Sequence, residues 1–292
     1  MIYEEIFTFK TRRKNNILLA AHVLLSVVSY VLGATHEVCP DQCECYVDLA
    51  YEFDLHTAAC THLVWKRMYF PNIVQLKLMP ASESEHCHLP NITSKMFPNL
   101  RRLDMTNCSL TSFPTPGVNK FKFLMSMDLS YNFIQEVPTN ALLPYNELQH
   151  FTLNNNPLNP QLPLIFESSS LYDLSLDSCN IHNLSAKTFA GVPNLKFLTI
   201  SNNSISALPY KTFPPHLKTL NISHNKLINV PTFEFTRLEN LRELSMTANP
   251  VNCTCTLISF QDWLPRKPLI IWDRIKCAFP EKYRGIDLAK LP

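Results

Sequence analysis

Glycine is scarce in this chain of 292 residues: there are 4, against 22 prolines. Loops that cradle phosphate need clustered glycines, because the backbone must approach the anion closely. Gly33, Gly117, Gly191 and Gly285 stand far apart, which excludes a P-loop, a dinucleotide-binding turn and a collagen repeat. An excess of one charge is also missing. The formal net charge is +2, and four basic residues (Lys10, Arg12, Arg13, Lys14) and two acids (Glu4, Glu5) fall in a leader-like start, so the remainder is balanced. A neutral chain has no electrostatic footprint for nucleic acid or anionic lipid. No H-E-x-x-H or G-x-S-x-G signature occurs, and no motif ties a Ser, His and Asp together, so no enzyme is expected and no cofactor.

What is present is ample apolar material, 46% of residues, with 17% charged; this composition supports a core and shows no bias to disorder. Residues Lys10 to Lys14 are basic, Ile17 to Gly33 are almost all apolar, and small residues follow at Gly33 and Ala34. That order reads as a secretory signal peptide over residues 1–33, cleaved after Gly33. The apolar stretch holds His22, Ser26 and Ser29 and is shorter than the roughly 20 residues a membrane span needs. No second apolar run follows, so the mature chain as given is expected to have no membrane segment. Export predicts that most of the 10 cysteines pair as disulfides.

The middle of the chain repeats. Leu100-x-x-Leu103-x-Met105-x-x-Cys108-x-Leu110 has in-register counterparts starting at Leu124, Leu148, Leu171, Leu195, Leu217 and Leu241, spaced 22 to 24 residues apart. An irregular eighth unit begins at Ile73-x-x-Leu76-x-Leu78. This is the leucine-rich-repeat pattern. Alternate leucines point to one side, so each unit supplies a short strand with one apolar edge that only stacking can bury. The expected fold is an α/β solenoid, a leucine-rich-repeat horseshoe with a parallel concave sheet and an irregular convex side. The Asn or Cys slot turns inward to bond backbone groups of the turn. Cys108 and Cys179 occupy that slot and are read as buried, inert thiols. Phe97, Phe166, Phe189, Phe213 and Phe235 precede successive repeats and are expected to form a second buried spine. Apolar-Pro pairs such as Phe113-Pro114, Leu162-Pro163 and Leu208-Pro209 suit the convex side, where no ladder needs the missing N–H.

Cysteine clusters bracket the repeats. Cys39-Pro40-x-x-Cys43-x-Cys45, with Cys60, precedes the first unit. Asn249-Pro250-x-x-Cys253-x-Cys255-x-Leu257-x-x-Phe260-x-x-Trp263-Leu264, with Cys277, follows the last. These segments resemble the N- and C-terminal cysteine-rich caps of extracellular leucine-rich-repeat proteins, the superfamily that includes Slit-like, Toll-like and neuronal adhesion receptors. The resemblance covers nearly all of residues 38–292. It divides the chain into signal peptide (1–33), N-terminal cap (34–63), about eight repeats (64–251) and C-terminal cap (252–292). It implies the pairings Cys39–Cys45, Cys43–Cys60 and Cys253–Cys277, where sequence alone leaves three pairings open for the first four cysteines. It also implies a binding module, as a receptor or adhesion ectodomain; the alternative is a secreted soluble regulator or matrix component without a membrane anchor. The chain departs from the family at its end. The fourth cap cysteine is missing and Cys255 lacks a partner, which suggests a truncated cap.

The open sheet face is the candidate site. Arg102, Asp104, Asp128, Tyr131, His150, Thr152, Tyr172, Asp173 and Phe197 fall between or just after the leucines and are expected to contact an extracellular protein ligand or receptor, with aromatic residues as anchors. Self-association of the solenoid stays open. Asp104 and Asp128 share a phase in adjacent repeats, so their like charges call for a compensating cation or basic partner. His86-Cys87-His88 offers zinc-ligand chemistry without an evident fourth ligand; an unpaired or noncovalently packed Cys87 is the preferred reading. Sequons for N-glycosylation stand at Asn91, Asn107, Asn183, Asn202, Asn221 and Asn252, and each implies a surface position.

Overall fold

The computed structural model describes residues 39, 43–48, 55–61, 69–80, 87, 95–114, 121–230, 232–254, 257–263, 270–271 and 274–291. The expected signal peptide lies outside the described residues, as do His86, His88, Asn91, Cys255 and Leu264. The chain divides into two units, Met1–Val38 and Cys39–Pro292, and every described residue belongs to the second.

Among the described residues eleven strands form one sheet whose spatial order is the sequence order. Strands β1 (Cys43–Asp48) and β2 (Leu55–Cys60) pair antiparallel. From β2 onward every pairing is parallel. The strands are β3 (Gln75–Leu78), β4 (Arg102–Asp104), β5 (Ser126–Asp128), β6 (His150–Thr152), β7 (Asp173–Ser175), β8 (Phe197–Thr199), β9 (Thr219–Asn221), β10 (Glu243–Ser245) and β11 (Ile270–Ile271). Each strand from β4 to β10 is three residues long, centred on the second apolar position of its repeat. Leu103, Met127, Phe151, Leu174, Leu198, Leu220 and Leu244 are all buried there. Burial of one such side chain is worth about 2 kcal/mol, and a lone unit would leave most of it exposed, so the stabilisation accrues on stacking.

Behind the sheet the second spine is present. Phe97, Phe166, Phe189, Phe213 and Phe235 are buried, and successive rings stack at 6.1 Å (Phe166–Phe189) and 6.3 Å (Phe189–Phe213). Gly191 is required beside this spine, because a Cβ there would come within 2.5 Å of the Phe166 carbonyl oxygen. Leu162 departs from the other apolar-Pro pairs and is 40% exposed. Its N–H donates to Asn159 O at 3.1 Å, a local turn that lifts it off the core.

Between sheet and spine runs an amide ladder. Asn132 Nδ2 donates to Met105 O and Leu129 O, and Asn132 Oδ1 accepts from Cys108 N and Leu110 N, all at 2.9 Å. Asn203 repeats the arrangement in full, and Asn156, Asn225 and Asn249 repeat it with one accepted N–H each, from Ile134, Ile205 and Leu227. One asparagine thus ties two neighbouring turns and satisfies buried backbone groups that no strand reaches. Cys179 in the same slot donates its thiol to Leu153 O at 3.1 Å. A thiol is a weak acceptor, and the N–H of Leu158 in the turn beneath bonds Asn156 O instead, at 2.9 Å.

Both ends carry disulfides: Cys39–Cys45 and Cys43–Cys60 before the repeats, Cys253–Cys277 after them. A short helix, α1 (Thr232–Thr236), lies on the convex side, and a second, α2 (Ile258–Trp263), closes the last repeat. Leu257, Phe260 and Trp263 are buried, and Phe260 and Trp263 stand 5.5 and 6.4 Å from the Phe235 ring. They extend the spine into the cap.

The reading of two cysteines is corrected. Cys108 is not a free thiol and Cys87 is not unpaired; they form a disulfide. Cys87 N donates to Cys108 O at 3.3 Å, which holds Cys87 against the slot of the first regular turn. The same bond removes the Cys87 thiolate from any metal clip. Among the described residues no cluster of three His, Cys, Asp or Glu stands close enough to hold a metal ion, and no helix is long and apolar enough to cross a membrane.

Candidate functional site

Strand register fixes which side chains meet on the open face. One row runs Gln75, Arg102, Ser126, His150, Asp173, Phe197, Thr219, Glu243; the next runs Lys77, Asp104, Asp128, Thr152, Ser175, Thr199, Asn221, Ser245. Neighbours within a row sit about 4.8 Å apart, one per strand.

The register brings four of the expected residues together and adds a fifth. His150 Nδ1 lies 3.3 Å from Asp173 Oδ2. The His150 and Tyr172 rings meet edge to face at 6.4 Å, and Tyr172 lies 5.1 Å from Phe197. Lys196 Nζ stands 4.7 Å over the Tyr172 ring. These contacts hold the rings in place before any partner arrives, and a cation over an aromatic face adds about 0.5–1 kcal/mol at an exposed site. The result is a fixed aromatic surface with a basic and an acidic group beside it.

Asp104 and Asp128 are side by side in the register, as their shared phase requires. The compensation comes from within the chain. Lys77 Nζ lies 3.6 Å from Asp104 Oδ2. Thr106 N donates to Asp104 Oδ1 at 2.9 Å, and Ser130 N to Asp128 Oδ1 at 2.8 Å. Both carboxylates are therefore committed to turns. Arg102 is in the first row, three strands from Asp173, and Thr152 continues the second row. Tyr131 sits at the rim where its strand turns, 59% exposed, with φ 57°.

That positive φ is shared. Asn107, Tyr131, Asn155, Ser178, Asn202, His224 and Ala248, each immediately before the Asn or Cys slot, all have φ between 53° and 57°. Asparagine tolerates this left-handed conformation; tyrosine and alanine are strained in it. Recurrence of Asn at three of the seven positions was the available signal.

Sequence reasoning also missed a polar cluster on the convex side. Glu234 is fully buried; its carboxylate accepts from Lys211 N and Phe213 N at 2.9 Å and from Arg237 Nη2 at 2.7 Å. Exposed rings of Tyr210 and Phe233 lie 6.0 Å apart beside it. The signal was the polar residue preceding three of the five spine phenylalanines: Thr188, Thr212 and Glu234, all buried.

Among the sequons, Asn107, Asn183 and Asn202 are exposed, and Asn221 and Asn252 are half-buried. Asn221 lies in the open-face row beside Thr199, its Oδ1 accepting the Ser223 hydroxyl at 2.7 Å.

Comparison with known proteins accords with this geometry. The leucine rich repeat family model matches residues 98–158, 169–214 and 198–251. Osteomodulin of Rattus norvegicus is 33% identical over 160 residues, 50% of this chain and 34% of that one. Toll-like receptor 2 type-1 of Gallus gallus is 28% identical over 171 residues, 58% of this chain and 21% of that one. The chain therefore spans about a third and about a fifth of those two proteins. The crystal structure of human 5T4, trophoblast glycoprotein, superposes with a TM-score of 0.55 at 21% identity, covering 88% of this chain and 98% of that one, a likeness of fold alone. The repeats and paired end cysteines define a class of capped solenoids. The chain belongs to the leucine-rich-repeat proteins, and within them to the extracellular, cysteine-capped members.

Proposed function

We propose that the chain is the binding portion of a receptor or adhesion ectodomain and that it recognises an extracellular protein on its open sheet face, centred on His150, Tyr172, Asp173, Lys196 and Phe197. The observation that carries this is the Tyr172–Phe197 ring pair at 5.1 Å under the Lys196 ammonium. Aromatic anchors held by their own neighbours bind at low ordering cost, since their rotamers are already fixed. Arg102, Asp104, Asp128, Tyr131 and Thr152 form the periphery of the contact, where rim groups tune orientation and on-rate. Glycans on Asn183 and Asn202 leave the centre clear. A glycan on Asn221, one strand beyond Phe197, directs the partner toward β5–β8.

The test is a screen of the full chain against displayed extracellular proteins, followed by titration of the partner found. Tyr172→Ala and Phe197→Ala are each expected to raise Kd about tenfold or more. Tyr210→Ala and Phe233→Ala, on the convex side, are expected to leave it unchanged. Loss with the convex pair and none with the concave pair would overturn the reading.

A further inference from the structure

Two sequons carry a cysteine between the acceptor and the hydroxyl residue: Asn107-Cys108-Ser109 and Asn252-Cys253-Thr254. Both cysteines are bonded, Cys108 to Cys87 and Cys253 to Cys277. An enzyme that transfers sugar must grip the acceptor tripeptide, and neither tripeptide is free to be gripped once folded. Asn107 and Ser109 have φ of 57° and 55°, with Cys108 N–H held by Asn132 Oδ1 at 2.9 Å. Asn252 bridges Phe279, and its N–H donates to Ile228 O at 2.8 Å. The middle residues at the other described sequons, Leu184, Asn203 and Ile222, are buried as well. Those three are closed by packing and hydrogen bonds, which open locally and reversibly. At Asn107 and Asn252 the closure is covalent.

We propose that the Cys87–Cys108 and Cys253–Cys277 disulfides shut off N-glycosylation at Asn107 and Asn252, so that sugar occupancy at these two sites is set by a race between glycan transfer and oxidation. In transfer, the acceptor Nδ2 bonds to the anomeric carbon of a lipid-pyrophosphate-linked oligosaccharide; the lipid pyrophosphate leaves and the nitrogen gives up a proton. In closure, two thiols lose two protons and two electrons to the disulfide of an oxidised carrier, which becomes a dithiol. The proposal rests on the extracellular assignment and is independent of the binding surface.

The order of synthesis makes the two races unequal. Cys87 precedes its partner by 21 residues, so it is already available when Asn107 emerges. Cys277 follows Cys253 by 24 residues, a delay of about 1–5 s at roughly 5–20 residues per second. Asn252 therefore has an added interval before its cysteine can be closed, which Asn107 lacks because its partner cysteine is already made. Occupancy in the wild-type chain is lower at Asn107 than at Asn252.

The experiment expresses the full chain in secretory cells and reads occupancy by peptide mass spectrometry after enzymatic glycan release, which converts each occupied Asn to Asp. Cys87→Ser is expected to raise occupancy at Asn107 about twofold or more, disulfide closure being a seconds-to-hours process that sets the baseline, and to leave Asn202 and Asn252 unchanged. Cys277→Ser raises Asn252 alone. A variant that merely misfolds exposes all acceptors for longer, so Asn183 and Asn202 in the same molecules are the internal control. A brief pulse of reductant on cells making the wild-type chain is the second measurement, and it raises Asn107 and Asn252 selectively over Asn202. Equal occupancy in wild type and variants, or a parallel rise at Asn183 and Asn202, would overturn the proposal.

Discussion

The side-chain oxygen of Asn132 accepts the backbone N–H of Cys108, in the turn one repeat earlier, at 2.9 Å. The same oxygen serves Leu110 N, while the amide nitrogen serves two carbonyls. A single side chain thereby satisfies four buried backbone groups. Asn203 does the same for Cys179 and Ile181 in a more central turn. Asn203→Ala strands two N–H groups at once, each costing about 1–3 kcal/mol when buried unpaired. The expected loss is about 3 kcal/mol or more in urea unfolding. A loss below 1 kcal/mol, on the same scale of orphaned groups, would mean that water enters the turn.

Glu234 and Arg237 make the corresponding device on the convex side. Arg237 Nη2 bonds both Glu234 Oε1 at 2.7 Å and Phe213 O at 2.8 Å, so the pair fastens α1 to the preceding repeat. Removing one partner of a buried pair leaves the other charge uncompensated, at about 3–5 kcal/mol. Arg237 keeps 23% of its side chain in solvent, which places Glu234→Ala at the lower end of that range. Thermal unfolding of Glu234→Ala and Arg237→Ala compares the two directly. The Glu234 variant is expected to be the worse, because it also orphans Lys211 N and Phe213 N.

The sheet and its register were legible in the sequence because the leucine period fixes both. Once Leu103, Met127 and Phe151 are known to point inward, their neighbours must face out. The Phe166–Phe189–Phe213 spine was legible for the same reason. Other features were not. The pairing of Cys108 with Cys87 depends on an aperiodic segment, and periodicity says nothing about where such a chain returns. The His150–Asp173 and Lys196–Tyr172 contacts depend on side-chain direction rather than on phase. The role of Glu234 was hidden by the prior that a carboxylate is exposed, although Thr212 in the same phase marked the position as polar and inward.

Backbone strain at the rim gives a prediction that separates stability from binding. Tyr131 and Ala248 have φ of 57° and 53°, where Asn107, Asn155 and Asn202 stand in neighbouring repeats. The left-handed conformation costs a side chain with a Cβ about 1–2 kcal/mol, and asparagine recovers part of it through local hydrogen bonds. Tyr131→Asn and Ala248→Asn are each expected to stabilise the chain by about 1 kcal/mol, read as a rise in Tm. If the Tyr131 ring contributes to recognition, its variant gains stability and loses affinity, while the Ala248 variant gains stability alone. A fall in Tm for both would show that these rim positions do not carry the strain their φ values imply.

Cys179 supplies a dependence on alkaline pH with a definite sign. Burial pushes its thiol from 9.0 up to about 12, and the nearby Asp177 carboxylate adds to the rise. In the unfolded chain the thiol ionises near its ordinary value. The folded state therefore holds a proton that the unfolded state releases, and stability falls as pH climbs between those two values. Below pH 9 both states are protonated and no dependence arises from this group. Between about 9 and 12 the folding equilibrium constant loses up to tenfold per pH unit on its account. Lysines and tyrosines titrate in the same window, so the comparison is with Cys179→Ala, measured by denaturant unfolding at pH 8, 9, 10 and 11 without reductant. The alanine variant is expected to be less stable at pH 8, having lost a buried sulfur and its bond to Leu153 O. The gap should narrow steadily as pH rises past 9. Parallel curves would mean that the thiol is ionised or solvated in the folded chain, and the inward slot would have to be redrawn as a water-accessible one.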